Sequence, residues 1–264
     1  MSKKTIFRGA ATALITPLTQ AGVDYEALGR LIDWQIDQGI DALVIAGTTG
    51  EGATLTYDEH QEVIRYSVER AAGRVPIIAG SGSNDTSRAI TLSRFSCDAG
   101  ADALLVVTPY YNKATQKGLI AMYNAIADAV DRPIILYNVP SRTGVGIEPR
   151  TYLALAEHPN IVAIKEANGN ISKIVETARL VGDKLDIYSG NDDQVVPILS
   201  MGGSGVISVL SNVMPAQTHE MCQRFFEGDL AEAAKLQMDY LPLTRLEPEH
   251  WEKLKTIMQA HKLI

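Results

Sequence analysis

The chain has 264 residues, of which 46% are hydrophobic and 21% charged, proportions that exclude a disordered chain and a collagen-like fibre. Its 24 Lys and Arg against 31 Asp and Glu leave a net charge of −7, and with no basic run it is not built to hold nucleic acid or an anionic membrane surface. A small anionic substrate stays possible, because one arginine or a helix N-terminus can hold a carboxylate inside an acidic protein.

In chain order, residues 1–9 gather no apolar stretch of the signal-peptide kind, and nothing later approaches the roughly 18 apolar residues of a membrane helix. A soluble, cytoplasmic protein is expected. Short β-branched and apolar runs then recur at residues 11–18, 42–47, 76–82, 103–109, 133–139, 161–167, 187–192 and 205–212. Most are continuous rather than alternating, as in strands buried on both faces. Between them the spacing predicts helices. Leu28, Leu31, Ile32 and Gln35/Ile36 share one face of residues 25–38, and Thr56 with Glu59 forms a capping box opening residues 56–72. Further helices begin at 86, 116, 149, 170, 193 and 215, and after the last strand the chain reads as helical over 215–227, 230–240 and 248–261. Trp251, Leu254 and Ile257/Met258 give that last segment an apolar stripe.

Eight strands alternating with eight helices point to parallel βαβ units. Gly39-Ile40-Asp41-Ala42-Leu43-Val44 returns as Gly100-Ala101-Asp102-Ala103-Leu104-Leu105, and units that copy one another suit a closed (β/α)8 TIM barrel better than an open sheet. Periodicity alone leaves the open, doubly wound sheet as the alternative. No linker or low-complexity tract divides the chain, so one domain is expected: a barrel over 1–228 with a short helical appendage over 229–264. Cys97 and Cys222 lie outside any CxxC and read as small core hydrophobes.

Nucleotide and metal motifs are missing. Residues 80–85 lack the third glycine of a dinucleotide fingerprint, and there is no P-loop. His219-Glu220 has no second histidine at zinc-peptidase spacing. His60, His158, His219, His250 and His261 read as solvated or capping side chains. No cofactor and no metal is expected.

What remains lies at the carboxyl ends of the predicted strands, where barrels place their chemistry. Lys165 follows Ile161-Val162-Ala163-Ile164 and sits within a buried strand, an unusual place for an unpaired lysine. Such a residue either snorkels or pairs with Glu166, or it is a desolvated amine able to form a Schiff base. Tyr137 ends the neighbouring strand, so the two can meet above the core, the tyrosine packing or moving protons. Gly47-Thr48-Thr49-Gly50-Glu51 can aim amides and hydroxyls at an anion. Arg142, directly after the Tyr137 strand, can clamp a carboxylate at the mouth.

Together, Gly47-Thr48-Thr49-Gly50-Glu51, Pro109-Tyr110-Tyr111-Asn112, the stretch Tyr137-Asn138-Val139-Pro140-Ser141-Arg142-Thr143-Gly144, Ile164-Lys165-Glu166 and Tyr188-Ser189-Gly190-Asn191-Asp192 closely resemble the dihydrodipicolinate synthase / N-acetylneuraminate lyase family of class I aldolase barrels. The resemblance implies an imine between pyruvate and Lys165, a proton relay and carboxylate pocket from Thr48, Thr49, Tyr111 and Tyr137, and a pyruvate end lined by Gly190 and Ile207. It also implies a homotetramer in which Tyr111 serves a neighbouring subunit. The double threonine and Arg142 favour the synthase branch, whose second substrate is aspartate semialdehyde. A related pyruvate aldolase, a keto-acid dehydratase, or a catalytically impaired binding barrel are the alternatives. Two departures stand out. Lysine-inhibited members carry glutamate where this chain has Arg88, so weak inhibition by lysine is expected. Tyr240-Leu241-Pro242-Leu243 also runs straight into Thr244, where the family inserts a loop and another helix; an ordered barrel with a mobile or repositioned last helix and poor turnover is expected.

Overall fold

The computed structural model describes residues 5–244 and 255–256. Its strands, in chain order, are β1 (Gly9–Ala13), β2 (Leu18–Thr19), β3 (Gly22–Val23), β4 (Ala42–Ile45), β5 (Ile77–Gly80), β6 (Ala103–Val107), β7 (Ile134–Asn138), β8 (Ile161–Glu166), β9 (Asp186–Ser189) and β10 (Gly205–Ser208). All but β2 and β3 close into one parallel barrel, with β1 bonded to both β10 and β4. Closure excludes the open sheet. The helices are α1 (Tyr25–Asp37), α2 (Tyr57–Ala71), α3 (Thr86–Asp98), α4 (Gln116–Asp128), α5 (Pro140–Thr143), α6 (Pro149–Leu155), α7 (Ile171–Val181), α8 (Val195–Leu199), α9 (Pro215–Phe226) and α10 (Leu230–Thr244). Among the described residues no helix is long and apolar enough to cross a membrane.

Strand alternation builds two cores. Leu43, Ile45, Leu104, Ile134, Leu136 and Ile164 face the helices in one cluster. Ala42, Val44, Ala103, Leu105, Ile135, Tyr137, Ala163 and Ile207 fill the barrel interior in the other. Because successive side chains point to opposite faces, each strand serves both layers. That is why the runs read as continuously apolar.

The sequence repeat is a structural repeat. Gly39 and Gly100 take positive φ (83° and 93°) after α1 and α3, the left-handed turn that glycine permits. Two residues on, Asp41 accepts from the Ala10 amide at 2.7 Å and Asp102 from the Ile77 amide at 2.8 Å. Each aspartate thereby ties its own strand to the one before it.

Several boundaries differ from the sequence reading. The first barrel strand ends at Ala13; Pro17 has no amide to give a ladder, and Leu18 pairs instead in the β2–β3 hairpin. The segment from 193 is only a 3-10 turn and the five residues of α8. Residues 140–143, for which the spacing gave no helix, form the helical turn α5. Helix α2 opens on the expected Thr56–Glu59 capping box, which satisfies amides that a helix start leaves free.

At the end of the described chain α10 continues past Tyr240 through Pro242 to Thr244. It packs on α9, and Leu243 and Tyr240 join Leu210 and Met214 in a small cluster after β10. The expected helix over 248–261, with its Trp251 stripe, lies outside the described residues.

Candidate active site

Lys165 is 3% exposed and stands opposite Tyr137 across the β7–β8 ladder. Its Nζ lies 4.4 Å from the centre of the Tyr137 ring. Burial brings the ammonium down to about 8; Asp192 opposes that shift and Arg142 adds to it. At pH 7 about one amine in ten is then neutral, against roughly one in three thousand for an ordinary lysine. A neutral, desolvated amine is a nucleophile for a carbonyl carbon.

Tyr137 is 6% exposed. Burial pushes its phenol above the usual range, while the Thr48 side chain and the Arg142 charge pull it back. Thr48, Tyr137 and Arg142 line a cavity of about 320 Å³, with Gly47, Tyr110 and Thr143 on the same wall. Lys165, whose Nζ lies over the Tyr137 ring, is not among the residues that line the cavity. The turn after β4 carries Thr48 on strained backbone: Ala46 and Glu51 take positive φ (53° and 56°), a cost that recurs at functional turns. Arg142 is presented by α5, which is fixed from below. The Thr108 hydroxyl donates to Thr143 Oγ1 at 3.0 Å, and Thr143 donates to the Val145 carbonyl at 2.9 Å.

Other expected site residues are placed less directly. Thr49 is half-buried and outside the cavity lining. Ile207 is fully buried in the barrel interior. Gly190 donates to the Glu166 carbonyl at 2.8 Å; a Cβ there would come 2.7 Å from the Ala167 Cβ and 3.2 Å from the Lys165 Cγ, so glycine makes room for the lysine stem. Tyr111 is 90% exposed at a positive φ of 73° and, unlike its neighbour Tyr110, does not line its own chain's cavity.

Glu166 does not pair with Lys165, because it points to the helix side. There its carboxylate accepts from Asn138 Nδ2 at 2.9 and 3.2 Å, from the Tyr152 hydroxyl at 2.8 Å and from the Asn168 amide at 3.0 Å. Asn138 and Glu166 are paired one step beyond Tyr137 and Lys165, so this buried knot pins the two strand ends that carry the site. Burial nevertheless lifts the Glu166 carboxyl to about 7 from 4.5. A carboxyl raised on folding holds its proton more tightly in the native state, so stability falls as pH rises from about 4.5 to 7, by about 3 kcal/mol across the window. Glu166→Gln should flatten that slope in denaturant titrations at pH 5 and 7.5. Equal slopes in both proteins would mean that Glu166 titrates normally.

His60 corrects the sequence reading. It is not solvated but 4% exposed, with Nδ1 3.0 Å from the Gly52 carbonyl and Nε2 2.8 Å from the Gly80 carbonyl. The ring fills the gap between the β4 turn and β5, lines the cavity, and burial holds its pKa below the usual value. His219 is also partnered, through Nδ1 to Asp41 at 2.8 Å, and His158 through Nε2 to Asp128 at 3.1 Å; His250 and His261 lie outside the described residues. Asn138, Tyr152 and Asp192 went without a role in the sequence reading. Only the period-2 alternation after Tyr137 and Lys165 hinted at the first, Asp192 appeared only as the last residue of a quoted motif, and nothing local marked Tyr152.

A partly neutral amine, hydroxyls able to pass protons and an arginine at the mouth together suit covalent chemistry on a small carbonyl acid. The family model of the dihydrodipicolinate synthetase family matches residues 6–263, and the chain belongs to that family. It is 53% identical over 238 residues to the 4-hydroxy-tetrahydrodipicolinate synthase of Clostridium perfringens, covering 90% of this chain and 82% of that one. The crystal structure of dihydrodipicolinate synthase from Aquifex aeolicus superposes with a TM-score of 0.91 at 39% identity, over 97% of this chain and 99% of the other. The chloride-inhibited enzyme of Acinetobacter baumannii, solved with pyruvate, gives 0.91 at 37% identity over 98% and 100%.

Proposed function

We propose that the protein condenses pyruvate with L-aspartate 4-semialdehyde through a Schiff base on Lys165, giving 4-hydroxy-tetrahydrodipicolinate in the diaminopimelate route to lysine. The observation that carries this reading is the buried Lys165 amine, brought to about 8 beside Tyr137. The neutral amine adds to the pyruvate ketone, water leaves, and the resulting iminium loses a methyl proton to become an enamine. The enamine carbon attacks the aldehyde, whose oxygen takes a proton. The amino group of the semialdehyde then displaces Lys165 from the imine carbon, closing the ring and freeing the lysine. No cofactor is required, since the imine itself is the electron sink.

Tyr137, which lines the cavity together with Thr48, carries protons between imine, enamine and aldehyde oxygen. Thr49, with backbone groups at Gly190 and Ile207, holds the pyruvate carboxylate. Arg142 at the mouth holds that of the semialdehyde. Tyr111 completes the relay from a neighbouring subunit of a homotetramer; its outward, strained placement supports a role outside its own barrel.

A coupled assay of pyruvate against a panel of aldehydes should show turnover only with aspartate semialdehyde. A different preferred acceptor would make the protein another pyruvate aldolase on this barrel. In the same assay L-lysine should inhibit weakly. Arg88 lines the cavity, its guanidinium carbon 5.7 Å from the Tyr57 ring centre, and a cationic wall disfavours a cationic amino acid. Half-inhibition below roughly 1 mM would overturn that expectation.

A further inference from the structure

Asp192 sits in the turn just after β9, and its carboxylate is fastened without being satisfied. Oδ2 accepts from the Val209 and Leu210 amides, both at 3.0 Å, and the Ser208 hydroxyl faces the same group. The main chain is clamped as well: Gln237 of α10 donates from Nε2 to the Asp192 carbonyl at 2.7 Å and accepts from the Val196 amide at 3.1 Å through Oε1. The carboxylate therefore cannot swing out to water. Yet Oδ1 is buried with no hydrogen-bond partner. A buried carboxylate oxygen left bare is costly unless a positive charge nearby compensates it.

The charges around it narrow the choice. Lys165 stands opposite Tyr188 across the β8–β9 ladder, and Asp192 follows the end of that neighbouring strand, so the two charges act on one another at one end of the barrel. Burial raises the Asp192 carboxyl, while Ser208, the Leu210 and Val209 amides and Lys165 itself hold it down. Arg142 acts on the same amine with the sign of the amine itself. From α9, Cys222 also feels Asp192, but burial keeps that thiol neutral. Asp192 is thus the group of opposite sign acting on Lys165.

We propose that Asp192 is the fixed counter-charge of Lys165, a positioning residue that stabilises the positive iminium formed there. This rests on the Schiff-base reading above. An ammonium can shed its charge as a proton, whereas an iminium on a dry barrel floor keeps its charge until the substrate gives up a methyl proton. A carboxylate locked by backbone amides answers that charge without reorganising. Both cations sit in the same field, so what Asp192 does for one it does for the other.

Asp192→Asn keeps an oxygen for the two amides and removes the charge. The readouts are the pH midpoint for acetylation of Lys165 by a small electrophile, followed by mass spectrometry, and the fraction of Lys165 trapped by pyruvate and borohydride. The midpoint should fall by about one pH unit and the imine formation constant by roughly tenfold, since the same interaction is lost from each cation. A merely structural defect does the reverse: it admits water and returns the midpoint upwards. An unchanged or raised midpoint overturns the proposal. If the parent protein traps no pyruvate on Lys165, the Schiff-base reading fails, while the acetylation midpoint still decides whether Asp192 charges against Lys165. Should Asp192→Asn not fold, Asp192→Ser, which retains an acceptor for the amides, carries the same expectation.

Discussion

Incubation with pyruvate and borohydride should place one stable adduct on Lys165, located by mass spectrometry, and Lys165→Ala should abolish it together with turnover. The expected loss is at least roughly 10⁴-fold, because removing a covalent nucleophile leaves only binding and the remaining polar groups to act. The specificity of the label comes from burial. With Lys165 near 8 its neutral fraction at pH 7 exceeds that of a solvated lysine by a few hundredfold. The linkage has a definite sign. A lysine whose pKa is lowered on folding destabilises the native state while charged, so stability recovers as pH rises from about 8 towards 10.5. Labelling at another lysine while Lys165 stays unmodified would reassign the nucleophile. No label at all would favour a binding barrel.

Arg142→Ala should separate the two half-reactions. The arginine is carried on α5 at the cavity mouth and is solvent-exposed in the single chain, so the charge-assisted pair it makes with a carboxylate is partly screened. A loss of about 2 kcal/mol is expected, roughly 30-fold in kcat/KM for aspartate semialdehyde. Trapping of pyruvate on Lys165 should change only a few-fold, since Arg142 acts on that amine through its charge alone and burial is the larger cause of its lowered pKa. An equal fall in both steps would make Arg142 a structural residue of α5, and the choice of second substrate would reopen.

Much of this was legible in the sequence because the relevant physics is local. Continuous apolar runs separated by amphipathic stretches specified a parallel α/β fold, since a strand covered on both faces has no polar side to show. The repeat that contains Asp41 and Asp102 announced copied units, and the capping box at Thr56 and Glu59 fixed the start of α2. Lys165 stood out because an unpaired lysine in a buried strand is costly, and its spacing from the start of β8 set its depth. The family motifs then assigned chemistry to those positions.

What the sequence by itself did not decide were relations between residues far apart in the chain. Barrel closure depends on β1 pairing with β10, nearly two hundred residues away, which no periodicity reports. His60 read as a solvated helix residue, yet it is buried, because the carbonyls of Gly52 and Gly80 arrive from other segments to meet both ring nitrogens. Glu166 was open to pairing with its neighbour Lys165; the period-2 pleat sent it to the opposite face, where Asn138 and Tyr152 complete its bonds. Asp192 and Gln237 are ordinary polar residues in sequence. Only the fold sets the first past the strand that pairs with Lys165 and ties it to α10 through the second, because burial and through-space charge are properties of the packed chain rather than of any window along it.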